Sequence, residues 1–179
     1  RYGRRQRQMC IRDRILIQLD AHADLRTSYM GNEHSHACAM QRCLDLLPEK
    51  KILQVGIRSG TKEEFKFMSQ KKQLVKFLPG GNAQEFKKAL LPYSNSPIYL
   101  TIDLDWFDPS LLPGTGTPEP GGFFWNDFEV ILETLKEFRI VASDIVELSP
   151  EIDSSGVSSI VAAKAVSYTH LRAHETRIH

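Results

Sequence analysis

The chain has 179 residues, 41% of them hydrophobic and 25% charged, with a formal net charge of +1. That length suits one domain with a substantial core, and the near-neutral balance offers no electrostatic hold on nucleic acid or an anionic membrane. No uninterrupted apolar run approaches the roughly 20 residues that span a bilayer, residues 1–14 lack the apolar stretch of a secretory signal, and three cysteines without a CxxC pair make a poor disulfide framework, so free thiols in a reducing cytoplasm are expected.

In chain order, Arg1 to Arg14 is crowded with Arg and Gln and has no periodicity. Ser167 to His179 is similarly polar. Both are set aside as non-native tails, with His170, His174 and His179, leaving 15–166 as the folded domain. ILIQLD (Ile15 to Asp20) is a short apolar run of the kind that forms a strand buried on both faces. Ser35 to Leu47 follows as a helix stopped by Pro48, then KILQVGI (Lys51 to Ile57) as a second strand and a charged helix from Thr61 to Gln70. QLVKFL (Gln73 to Leu78) is a third strand, ended by Pro79-Gly80-Gly81, and Asn82 is placed to cap a helix towards Leu91. PIYLTIDLD (Pro97 to Asp105) is the fourth strand, followed by a Pro- and Gly-rich loop from Phe107 to Gly122. Asn126 or Asp127 caps a helix running to Phe138 whose Phe128, Ile131, Leu132 and Leu135 share one face. IVASDIVEL (Ile140 to Leu148) is the fifth strand and Ser154 to Val166 the last helix. Alternating strands and helices predict an α/β fold with a parallel sheet covered on both faces, whose ligands bind beyond the carboxyl ends of the strands.

The chemistry collects at those ends. After the first strand stands Asp20-Ala21-His22-Ala23-Asp24, and in extended chain its polar residues project to one side, separated by small alanines. The fourth strand ends in Asp103-Leu104-Asp105. Four carboxylates converging without cations would repel one another; two divalent ions would balance them. Oxygen donors with imidazole and no thiolate suit Mn²⁺ better than a structural zinc, and a two-metal site generates a nucleophile at neutral pH. Asp108, before Pro109, braces the turn, and Trp106, Phe107, Phe123, Phe124 and Trp125 read as packing residues. Gly114, Gly116, Gly121 and Gly122 serve backbone conformation, since there is no GxxxxGK for phosphate.

LDAHADLR (Leu19 to Arg26), TIDLDWFDPSLLPGTGTPEPGG (Thr101 to Gly122) and DIVELSPEID (Asp144 to Asp153) together resemble the arginase/agmatinase ureohydrolase family, most nearly its agmatinase branch. The resemblance runs from Ile15 to Val166 and implies a three-layer α/β/α fold, incomplete here at both ends. It also implies two Mn²⁺ ions, with Asp20 and Asp103 bridging both, Asp24 on one, and His22 with Asp105 on the other. One further histidine would come from a GGDH-type strand preceding Ile15, absent from this sequence and not replaced by His34 or His36; weak metal loading and little activity are therefore expected of the chain alone.

Glu147 would meet a substrate guanidinium, for which a carboxylate is a two-pronged acceptor, the plainer alternative being a surface strand-end Glu. His36, in EHSHACAM, would relay a proton to the leaving amine, as an imidazole can near neutrality; otherwise it is a helix-start histidine, and His34 is structural or exposed. The implied reaction is hydrolysis of a guanidino compound to urea and an amine. Tyr29 to Ala37 lacks the polar pattern that holds an amino-acid head group in arginases, so agmatine giving putrescine comes first. Guanidinobutyrase, arginase or formimidoylglutamase-like activity, single-metal deacetylation, or an inactive metal-binding fragment are the alternatives. A small guanidino substrate, no nucleic acid, no membrane and a homo-oligomeric full-length parent complete the expectation, and Arg58, near the same rim, is left open between positioning a loop and pairing with a carboxylate.

Overall fold

The structure, a computed structural model, describes residues 14–47 and 51–175. Its centre is a sheet of strands β1 (Ile15–Leu19), β2 (Ile52–Val55), β3 (Leu74–Val75), β4 (Ile98–Asp103) and β5 (Ile140–Val146), in the order β3-β2-β1-β4-β5 with every pairing parallel. β1 lies in the middle because it is apolar on both faces, and all five of its residues are buried. Leu16 stands beside Ile52 on one side, and Ile15 stands beside Ile98 on the other.

Alternation along β1 separates two cores. Ile15, Ile17 and Leu19 join the larger one, with Phe86 and Leu90 from helix α3 (Gln84–Leu90), Phe128, Ile131, Leu132 and Leu135 from α4 (Trp125–Leu135), and Ala162 and Ala165 from α5 (Val157–Glu175). Leu16 and Ile52 join the smaller one, with Met40 from α1 (Ala39–Leu46) and Met68 from α2 (Lys62–Lys71). Three layers result, as expected. Each large side chain fully withdrawn from water contributes about 1.5–3 kcal/mol, so two cores sharing one strand hold β1 firmly in place.

Strand order also positions the site. From β1 the chain crosses first to β2 and β3, then returns to β4 on β1's other side. The neighbouring carboxyl ends of β1 and β4 form the switch point where crossovers part and leave a crevice.

Several local expectations need correction. The third strand shrinks to Leu74–Val75, at one edge of the sheet. Ala83, not Asn82, is the N-cap of α3; Asn82 Oδ1 instead accepts from Gln84 N at 3.1 Å. Helix α4 starts after Phe124, and Asp127 acts from its third position, accepting from Phe124 N at 2.8 Å and Gly80 N at 2.7 Å. The last helix does not stop at Val166 but continues to Glu175, since neither Gly nor Pro interrupts it, and Tyr168 packs edge-on against Trp125 at 5.2 Å. No helix among the described residues is long and apolar enough to cross a membrane.

Candidate metal centre

Asp20 follows the last residue of β1, and Asp103 is the last residue of β4. The two ends are joined directly: Ala21 N donates to Asp105 Oδ1 at 3.1 Å, and His22 Nδ1 lies 2.8 Å from Asp105 Oδ2. One ligand atom each from Asp20, His22 and Asp105 falls within 4.8 Å of the others, the arrangement a single cation requires. Asp24 and Asp103 border the same cavity, of about 480 Å³, which His36 and Glu147 also line. All seven candidate residues named from sequence therefore face one space, although they span 128 positions of chain, from 20 to 147 counted inclusively.

Simple strand alternation does not explain the convergence. Asp105 lies in a 3-10 turn, Leu104–Trp106, that begins where Asp103 Oδ1 accepts from Asp105 N at 3.0 Å. Asp24 departs from extended backbone altogether, with φ +53°, and Glu147 does so past β5 with φ +65°. Left-handed backbone is costly for residues carrying a Cβ and persists where surrounding structure enforces it. At Asp24 the enforcement is visible: its carbonyl accepts from Met40 N and Gln41 N at the start of α1.

The electrostatics are those of a pocket short of positive charge. Burial, reinforced by neighbouring carboxylates, raises Asp20, Asp24 and Asp103 above the usual carboxylate range. Asp105 goes the other way: despite burial, its bond to His22 and the Ala21 amide hold it low. His22 is pushed up to about 10 by its hydrogen bonds to Asp105 and Asp20, so its imidazolium stands in for a cation. The donors are carboxylate oxygens and imidazole nitrogen, the set that hard or borderline divalent ions favour. The residues fit such ions.

Around this cluster is a supporting shell, in which Arg58 and Glu64 are the members that the sequence motifs did not assign. Arg58 donates to the main-chain carbonyls of Asp105 at 2.7 Å and Glu119 at 2.8 Å, with longer contacts to Pro120, Trp106 and Phe107. It clamps both ends of the loop, whose Thr117 hydroxyl donates to Asp105 Oδ2 at 3.2 Å. Glu64 is buried and accepts from Leu25 N and Thr61 N, thereby holding the chain just after Asp24. Asp108 braces the turn as expected, accepting from Ser110, Gly121 and Gly122. Trp106 stacks on Phe123 with centroids 4.3 Å apart, Phe107 and Trp125 pack on Phe128, and Phe124 is exposed. On the cavity wall Arg26 lies over the Tyr29 ring, which meets His36 edge-on at 5.8 Å. His34 is exposed; Cys38 and Cys43 are free thiols, and Cys10 lies outside the described residues.

Comparison with known proteins gives a consistent picture. A family model described as the arginase family matches residues 5–171. The agmatinase of Bacillus cereus is 35% identical over 157 residues, covering 86% of this chain and 53% of that protein. That of Pyrococcus horikoshii is 40% identical over 154 residues, covering 85% and 53%. The N(1)-aminopropylagmatine ureohydrolase of Thermococcus kodakarensis is 37% identical over 158 residues, covering 86% and 52%. The chain thus spans about half the length of these curated relatives. Among solved structures, one from Clostridium difficile is 44% identical with a TM-score of 0.82, covering 90% of this chain and 58% of that one. The agmatine ureohydrolase of Thermoplasma volcanium is 34% identical with a TM-score of 0.73, covering 92% and 56%.

Proposed function

The chain belongs to the arginase family, and from that premise we propose that it serves hydrolysis of a guanidino compound to urea and a primary amine, with agmatine, giving putrescine, as the first substrate. The observation that carries this reading is the meeting of Asp20, His22 and Asp105 within 4.8 Å, on a cavity shared with Asp24, Asp103 and Glu147. Agmatine is favoured because agmatinases recur among relatives at 35–40% identity. In addition, Tyr29 to Ala37 lacks a pattern suited to an amino-acid head group.

In this reading Asp20, His22, Asp24, Asp103 and Asp105 would hold two Mn²⁺ ions. When bound, they supply Lewis acidity and make water a nucleophile at neutral pH. The remaining work falls to the chain. Asp105, already accepting from Thr117, can accept a hydrogen bond from the attacking water. Glu147 reaches the cavity on left-handed backbone and can accept two parallel N–H bonds from the guanidinium, fixing its plane. His36 is exposed at the cavity rim, where it can pass a proton to the departing amine. A cytoplasmic setting accords with the free Cys38 and Cys43 thiols.

Urea release by the full-length parent protein with Mn²⁺ present, compared across agmatine, N(1)-aminopropylagmatine, guanidinobutyrate and arginine, tests the proposal. The highest kcat/KM is expected for agmatine. A preference for another of the four would move the substrate but keep the chemistry, and no urea from any would overturn the reading.

A further inference from the structure

We propose that Gln18 and Gln54 are positioning residues that orient the Asp20 carboxylate for cation binding, an inference that rests on the metal reading above. Both are buried, at 1% and 0% exposed, and stand side by side in the parallel pairing of β1 and β2. They interrupt apolar runs, on the face that otherwise presents Leu16 and Ile52 to the smaller core. A buried amide pair is a poor source of stability, since apolar groups of similar shape do about as well. Its geometry points to another use.

Gln18 Nε2 donates to Asp20 Oδ2 at 2.6 Å, with a longer contact of 3.4 Å to the His22 carbonyl. The other carboxylate oxygen of Asp20 accepts from His22 N. Gln18 Oε1 accepts from Gln54 Nε2 at 2.7 Å, and that same nitrogen donates to the Ala23 carbonyl at 2.8 Å. The direction of the relay is forced. A flipped Gln18 amide would aim its oxygen at the Asp20 carboxylate, and a flipped Gln54 would aim an oxygen at the Ala23 carbonyl. Thus one nitrogen on β2 fixes the main chain between His22 and Asp24, and through Gln18 it also fixes the carboxylate beside them. Asp20, which lines the cavity, is left with both oxygens tethered. Partners at this distance from a metal ligand commonly alter affinity about 10- to 100-fold.

Calorimetric titration of the full chain with Mn²⁺, alongside urea unfolding of the metal-free chain, tests this. Gln18→Met should raise the Mn²⁺ Kd of the folded chain about 10- to 100-fold, with a somewhat lower metal-free unfolding midpoint because Asp20 and Gln54 each lose a buried partner. Gln54→Met, which leaves the Gln18 contact to Asp20 but loosens its aim, should give a smaller increase. The double variant should lose less than the sum of the two single losses, because the Gln18–Gln54 bond is common to both. An unchanged Kd in Gln18→Met, or strictly additive losses in the double variant, would overturn the inference and leave the metal reading standing. If Gln18→Met does not fold, an unchanged Kd in Gln54→Met overturns it equally. Failure of the unsubstituted chain to bind Mn²⁺ would overturn both.

Discussion

Arg58 donates from Nη2 to the carbonyl of Asp105 at 2.7 Å, so a side chain at the end of β2 holds the main chain of a residue beyond the end of β4. The same nitrogen reaches the Glu119 carbonyl, which closes the loop between them into one unit. Arg58→Met should strip these half-buried carbonyls of their donor and destabilise the chain by about 1–3 kcal/mol. Arg58→Lys should recover little, because one ammonium cannot reach acceptors spread across a planar fork. Urea unfolding gives the stability, and amide exchange across residues 105–122 should accelerate in both variants; protection equal to the unsubstituted chain would remove Arg58 from this role.

The metal-free chain should lose stability as pH rises. Burial and mutual repulsion raise Asp20 to about 6 and Asp24 to about 8, against an ordinary carboxylate value of 3.8. Above pH 3.8 the unfolded chain therefore releases protons first and is favoured, up to those folded values. His22, raised from 6.5 to about 10, adds stability below its unfolded value that is lost as pH climbs towards 10, in the same direction. Asp105, held low, opposes this only in acid. Thermal unfolding should show a falling midpoint between about pH 5 and about pH 9, and saturating Mn²⁺ should lessen or reverse the fall. A flat or rising midpoint without metal would contradict this electrostatic picture.

Gly56→Ala should be among the most damaging single changes. Gly56 has φ +94°, and an added Cβ would lie 2.3 Å from Trp106 Nε1 and 2.8 Å from the Phe123 ring. Backbone strain and overpacking would act together, costing at least about 2 kcal/mol. The Trp106–Phe123 stack adjoins Asp105, so Mn²⁺ affinity should fall as well. Equilibrium unfolding followed by tryptophan fluorescence provides the check.

Glu147→Gln and His36→Asn should separate binding from turnover. Loss of a charged acceptor facing the guanidinium should lower kcat/KM by about 10- to 100-fold, corresponding to roughly 1.5–3 kcal/mol, largely through KM. Loss of the His36 imidazole should instead lower kcat, with KM little changed. Steady-state urea release measures both, and an unchanged kcat in His36→Asn would assign proton transfer to another group.

Local pattern determined much of this protein. Five apolar runs announce five strands, and their alternation with amphipathic segments announces a parallel three-layer fold, because burial on both faces leaves an unbroken apolar run while a one-sided helix leaves a 3.6-residue period. Asp20, His22, Asp24, Asp103 and Asp105 stand out for the same reason: charged groups closely spaced where apolar runs end call for a counter-ion. Gln18 and Gln54 left a trace too, as amides inside apolar strands, and it passed unused. Other features arise only in three dimensions. The register that sets β1 beside β4 depends on contacts more than eighty residues apart, and without it the two acidic clusters never meet. Left-handed backbone at Asp24 and Glu147 and the turn at Asp105 follow from packing that overrides local preference. Arg58 is the clearest case, since its partners are main-chain carbonyls; every residue but its side chain looks alike from that standpoint, and only folding decides which of them it meets.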